Sequence, residues 1–138
     1  MITELQKYCK HVYSILGSGY SERIYHNALE VILRKNNISY ETERIVPVVF
    51  EGHVIGNTRA DLIVNKDIVV ELKAVKRLLP GMEQQARNYL NQLGLPLALL
   101  VNFSPSQCET VVVDRCKEVD LQMSLQQPDT LCTSSQDP

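Results

Sequence analysis

The chain has 138 residues, with 14 Lys and Arg against 16 Asp and Glu and a net charge of −2. This length suits one domain with a real core, and the acidic balance argues against a protein that coats nucleic acid through Lys and Arg. No run of about 18 apolar residues offers a membrane span, and the charged start MITELQKYCKHVYS lacks the apolar stretch of a signal peptide. A non-secreted, intracellular protein, cytoplasmic or nuclear, is therefore expected.

Apolar residues recur at helical spacing over 2–16, at Ile2, Leu5, Tyr8, Cys9, Val12 and Ile15. Gly17 and Gly19 break this helix. A second helix is expected from about Tyr20 to Lys35, its inner face formed by Ile24, Ala28, Leu29, Val31 and Ile32, with Asn36-Asn37 ending it. Three β-rich segments follow, SYETERIVPVVFEG, HVIGNTRADLIVN and DIVVELKAV, punctuated at Glu51-Gly52 and Asn65-Lys66-Asp67. They predict a three-stranded antiparallel meander, with Pro47 marking the first strand as an edge or a bulge.

Pro80-Gly81 opens a third helix, about Met82 to Leu93, closed by Gly94. LPLALLVNF reads as a buried strand and residues 109–114 as a last one. A strand–helix–strand connection of this length favours parallel pairing. The expected fold is α+β, close to α/β/α: a mixed four- to five-stranded sheet flanked by helices. The domain spans 1–116, and residues 117–138, polar and Pro/Ser-rich, read as a flexible tail.

Cys9, Cys108, Cys116 and Cys132 form no C-x-x-C pair and have no His at zinc-finger spacing, so they read as reduced thiols. His11, His26 and His53 offer no alternative catalytic centre; His53 follows a turn glycine, and His26 reads as a surface residue despite lying beside Tyr25.

The strand Ile68–Val75 carries the chemistry. Alternation puts Ile68, Val70, Leu72 and Ala74 on one face and Val69, Glu71, Lys73 and Val75 on the other. An acid and a base amid valines are costly to bury unless they are paired or hold a metal. Asp61 interrupts the preceding strand in the same way. Joined by a hairpin at 65–67, the two strands bring Asp61 near Glu71, and carboxylates that close repel unless a cation lies between them. Oxygen donors favour Mg²⁺ or Mn²⁺. A Glu-x-Lys pair by itself could equally be an ion pair on a solvated strand. Further residues add to it. Glu22, in the first turn of the second helix, shares a face with Tyr25, Leu29 and Ile32, although an acid there also suits the helix dipole. Gln85 and Tyr89 lie one turn apart on the third helix, placed either to contact a phosphate or as ordinary helix surface. Lys76, Arg77 and Arg87 add positive charge that steers a phosphate backbone or is simply solvated.

The segment Gly19-x-x-Glu22-x-x-Tyr25 resembles the motif of the GxxExxY proteins, which are similar to the PD-(D/E)XK nuclease superfamily. The resemblance continues through Pro47–Gly52, Arg59–Val64, Val70–Ala74, Gln85-x-x-x-Tyr89-Leu90 and Leu99–Phe103, covering about residues 10–115. It implies a restriction-endonuclease-like core. It also implies Asp61, Glu71, the backbone carbonyl of Leu72 and Glu22 as ligands of Mg²⁺ or Mn²⁺, and Lys73 as the residue that orients or helps deprotonate the attacking water. Gln85 and Tyr89 resemble the Gln-x-x-x-Tyr element of nucleases related to the RecB exonuclease domain. Met82 stands where relatives often carry a His. The implied function is metal-dependent hydrolysis of nucleic acid, DNA before RNA. The rival expectation is a catalytically silent nuclease fold that binds or builds, as a homo-oligomer or inside a larger assembly.

Overall fold

A computed structural model describes residues 1–115. Cys116, Cys132 and the expected tail lie outside the described residues. Helix α1 spans Ile2–Leu16 and buries Leu5, Cys9 and Val12, spaced by four and three residues so that they share one face. Helix α2 spans Glu22–Lys35. It starts two residues later than its apolar pattern suggests, because Gly19 takes a left-handed φ of 103° and Ser21 remains extended as the capping residue.

The inner face of α2 is also rotated from the expected one. Tyr25, His26, Leu29 and Leu33 are buried, whereas Ile24 and Val31 are 41% and 45% exposed. Tyr25 sets this rotation. Its ring stacks on Phe103 of the sheet at 4.1 Å between centroids, and its hydroxyl donates to the Gly17 carbonyl at 2.6 Å. A buried aromatic contributes more than an aliphatic residue a hundred degrees round the helix.

Strands β1 (Tyr40–Phe50), β2 (His53–Val64) and β3 (Ile68–Lys73) form the antiparallel meander. Glu51 and Gly52 both have positive φ and close β1 onto β2 in two residues, the backbone shape that matches the twist of a hairpin. β1 is an edge strand, and its register shifts between Val48 and Val49, next to Pro47. Helix α3 (Pro80–Leu93) begins with proline in its first turn, where the missing N–H costs nothing, and ends on left-handed Gly94. It carries the chain over to β4 (Leu97–Phe103), which runs parallel to β3, and β5 (Cys108–Asp114) returns antiparallel to β4. The sheet order is β1-β2-β3-β4-β5.

The sheet is covered on both faces. One core joins α1 and α2 to Leu62, Val64, Ile68, Val70, Leu72, Leu99 and Val101. The other joins α3 to Val46, Ala60, Ile63, Val69 and Ala98. β4 is buried on both faces from Ala98 to Phe103, which is why it reads as a continuous apolar run. Among the described residues, no helix is long and apolar enough to cross a membrane.

Candidate active site

The β2–β3 ladder is regular over Val64–Ile68, Ile63–Val69 and Leu62–Val70, and ends there. Beyond it, side chains take over from backbone. The Asp61 amide donates to Glu71 Oε2 at 3.2 Å, and the Leu72 amide donates to Asp61 Oδ2 at 2.8 Å. The strands therefore part at the point where two carboxylates stand between them. Asp61 interrupts the alternation: Ala60 joins the α3-side core, while Leu62 joins the α1/α2-side core. Freed from the regular pleat, Asp61 lines a cleft on the α2 side of the sheet.

Glu71 is 4% exposed. Burial, and then the Asp61 carboxylate beside it, push its pKa up to about 8. Asp61 and Glu22 both repel its charged form, and Lys73 opposes them. Alternation holds along β3: Val69 joins the α3-side core and Val70 and Leu72 the opposite one. Lys73 reaches toward α3, where Nζ donates to Gln85 Oε1 at 3.3 Å. One turn on, the Tyr89 hydroxyl donates to the Arg59 carbonyl at 2.9 Å, close behind Asp61. Gln85 and Tyr89 thus meet β2 and β3 from one helix face.

The α2-side cleft, about 240 Å³, is lined by Glu22, Arg23, His26, Asp61 and Leu72. Glu22 is exposed rather than turned into the core, but it faces the same space as Asp61. His26 is not a surface residue. It is 4% exposed, and its Nε2 stands 2.9 Å from Glu30 Oε2 without the alignment of a hydrogen bond. Its signal in the sequence was its position four residues from Glu22 and from Glu30, in one polar stripe along α2. Arg23 lines the cleft too and pairs with Glu43, which also accepts from Arg59 at 3.1 Å. The hydrogen bond from Arg23 holds Glu43 below the usual carboxylate range.

The donors suit a hard cation. Two carboxylates side by side suit Mg²⁺ or Mn²⁺, which keep several waters and take one or two protein carboxylates. Burial, and then the Asp61 carboxylate, disfavour the charged form of Glu71, and Lys73 offsets this only in part. Asp61 and Glu71 each commit one oxygen to a backbone N–H, and each has a second. Among the described residues, no group of three His, Cys, Asp or Glu side chains is gathered closely enough to hold a metal by itself, so Glu22 does not complete a ready-made cage.

Other residues have different places. Tyr25 packs in the core and ties down the Gly17–Tyr20 loop, its hydroxyl accepting from the Tyr20 amide at 3.4 Å. Lys76 and Arg77 are exposed on the segment after β3. The expectation that Arg87 meets substrate is corrected: Arg87 is buried, and its Nε donates to the Asp114 carbonyl at 3.2 Å. Two residues on from Gln85, its side chain points about 200° round the helix. Met82 is half-buried in the first turn of α3. Cys9 and Cys108 are free, and burial pushes the Cys9 thiol up to about 12, an inert state.

Asn102 escaped the sequence reading. It is fully buried, bonds both the amide and the carbonyl of Val75 at 2.9 and 3.0 Å, and donates to Glu109 at 3.1 Å. It carries on the β3–β4 pairing with a side chain and fixes the segment that leaves Lys73. A polar residue inside LALLVNF is the same anomaly that singled out Asp61.

The fold is similar to that of a solved structure. The crystal structure of SSO0001 aligns with a TM-score of 0.56 at 24% identity, covering 75% of this chain and 55% of that one. This likeness concerns the fold, and the chain spans only about half the length of that structure. An alkaline exonuclease (LHK-Exo) from Laribacter hongkongensis aligns with a TM-score of 0.49 at 9% identity, over 85% of this chain and 81% of that one. Among curated proteins, none matches the sequence significantly. A family model described as the PD-(D/E)XK nuclease superfamily matches residues 1–115, which takes in both carboxylates, Lys73 and every element of the fold. The chain belongs to the PD-(D/E)XK nuclease superfamily.

Proposed function

We propose that this protein is a divalent-metal-dependent nuclease of the GxxExxY type, hydrolysing phosphodiester bonds of nucleic acid, with DNA as the favoured substrate. One observation carries the reading. Asp61 and Glu71 stand across parted strands with Lys73 two residues on, and burial beside Asp61 holds the Glu71 proton on up to about pH 8, a charge that a bound cation would stabilise. In this reading Asp61, Glu71 and the Leu72 carbonyl would hold Mg²⁺ or Mn²⁺, and Glu22 would add a carboxylate at the rim. The metal, when bound, supplies Lewis-acid polarisation of the phosphate and a more acidic water.

The chain's own residues do the rest. Lys73, held by Gln85, orients the attacking water and stabilises the hydroxide it becomes. The water gives up a proton to bulk solvent as its oxygen forms a bond to phosphorus, the bond from phosphorus to the leaving sugar oxygen breaks, and that oxygen takes a proton from solvent. Lys76 and Arg77, both exposed, offer charge to the flanking phosphates. Cleavage of single- and double-stranded DNA with Mg²⁺ or Mn²⁺ tests the proposal. Activity that survives undiminished in both Asp61→Ala and Lys73→Ala would show that it belongs to a contaminant.

A second reading is a nuclease fold used for binding without turnover, as a homo-oligomer or within a larger assembly. What favours it is charge: the net charge is −2, and Glu43 pairs with Arg23 at the cleft and with Arg59. It predicts DNA binding with a steep salt dependence and no cleavage products.

A further inference from the structure

Helix α3 and the β1–β2 hairpin enclose a second groove, about 260 Å³, on the opposite side of β2 from the charged cleft. Gln85, Asn88, Asn91 and Gln92 face it from the helix, and Val48 and Thr58 face it from the hairpin. Tyr89 forms its floor, buried at 4% exposure. None of the lining side chains is charged. The groove is built, not a chance gap. Gln92 Nε2 donates to the Pro47 carbonyl at 3.3 Å, tying the helix to the hairpin, and Tyr89 ties it to β2 through the Arg59 carbonyl. It also opens directly on the proposed chemistry, because Gln85 is the residue that bonds Lys73 at 3.3 Å.

Carboxamides in a groove without cations do not suit phosphates, which call for Arg, Lys or clustered backbone N–H groups. They suit base edges. An Asn or Gln amide presents one donor and one acceptor side by side, and every base carries both kinds of group along its edge. Apolar and aromatic surface beside the amides gives base faces something to rest on. Bases in a duplex have their edges paired and their faces stacked, so only an unpaired segment can offer both to a groove this narrow.

Resting on the nuclease reading, we infer that the α3–hairpin groove is a base-binding subsite, which takes the unpaired nucleobases next to the phosphate held at Lys73. The substrate strand enters the site single-stranded or locally opened, its phosphates at the Asp61–Glu71 pair and its bases along the amides. Asn88 and Asn91 are the residues that make this groove selective. Both are exposed on α3, and neither belongs to the carboxylate–lysine site.

The test compares binding of a short single-stranded thymidine oligonucleotide with that of its fully abasic counterpart, which keeps every phosphate. Binding is followed by fluorescence anisotropy on the full chain in EDTA, so that nothing is cut. The wild type is expected to bind the intact strand about tenfold more tightly, the size of one good amide–base contact. The double variant Asn88→Ala/Asn91→Ala should close that gap and leave abasic binding where it was. Alanine is the better helix former, so α3 is retained. Equal affinity of the wild type for the two strands overturns the inference, and so does a gap that persists in the variant. Cleavage decides the nuclease reading separately. Metal-dependent cutting with no base-dependent gap sinks the groove alone, whereas a gap that closes in the variant, without cutting, keeps the groove and sinks hydrolysis.

Discussion

The two sides of β2 differ in what they do with polar groups. On the α2 side, Glu22, Arg23, His26 and Asp61 crowd ionisable groups round a small cleft, and Glu71 lies just behind, protonated well above its ordinary range. On the α3 side, a groove of similar size is lined by neutral amides, Thr58 and Val48. One strand separates the two, yet the first is lined by ionisable acids and bases and the second by neutral side chains. Charges gathered against their own repulsion await a counter-ion, and neutral amides await a partner that is itself neutral at the contact. In the proposed reading this difference divides the work, with bond breaking at the carboxylates and base recognition at the amides.

The sharpest way to break the comparison is at Asp61 and Lys73. Removing either side chain as alanine should lower metal-dependent cleavage of DNA by at least about a thousandfold, since each is asked to supply several kcal/mol of barrier lowering. Initial rates measured at saturating DNA check this. The Asn88→Ala/Asn91→Ala variant should keep the maximal rate within about threefold and raise KM, because a base contact made equally before and during reaction is uniform binding. Equal collapse of the maximal rate in both variants would erase the proposed division of labour.

The scaffold under both sides is tested next. Tyr25→Ala removes a fully buried ring stacked on Phe103 and the tie to Gly17, and should cost about 3–5 kcal/mol by urea denaturation. Tyr25→Phe keeps the ring and should cost only about 1 kcal/mol, the net value of one hydrogen bond. Asn102→Ala leaves the Val75 amide and carbonyl without their side-chain partner and should cost about 2 kcal/mol. A loss as small as that of an exposed Asn would mean that Asn102 does not fix the segment after Lys73.

The subtlest effect is a pH dependence. Glu71 holds its proton more tightly in the fold than in the unfolded chain, with a pKa of about 8 against 4.5. The folded state thus binds the extra proton, and this contribution to stability is complete below about pH 4.5 and is lost as pH rises through 8. Without metal, the melting temperature should fall between those limits. Glu71→Gln should flatten the slope. Added Mn²⁺ should reverse it, because binding displaces the proton and strengthens as pH rises. A metal-free melting temperature independent of pH in the wild type would contradict the buried, protonated carboxylate.

Much of this was legible in the sequence, for particular reasons. Helix α1, the meander, the parallel crossover and β5 follow from periodicity and turn residues, which act locally. Asp61, Glu71 and Lys73 stood out because a charge inside an apolar strand is an anomaly that needs no partner to be seen. The same logic applied to Asn102 would have found it as well. The rotation of α2 was not legible, because both possible faces are apolar and only the stack of Tyr25 on Phe103, 78 residues away, chooses between them. Nor was the fate of His26 and Arg87, whose burial depends on which residues of other elements close over them.

The sequence by itself thus determined the elements, their order and the identity of the acids and base, since these depend on neighbours along the chain. The tertiary structure alone decided that the β2–β3 ladder stops at Leu62–Val70 and lets Asp61 and Glu71 reach across. It alone turned Lys73 toward Gln85 and set an amide groove beside it. Those are matters of register and of packing between distant segments, and residue spacing along a chain does not encode how far apart two strands stand.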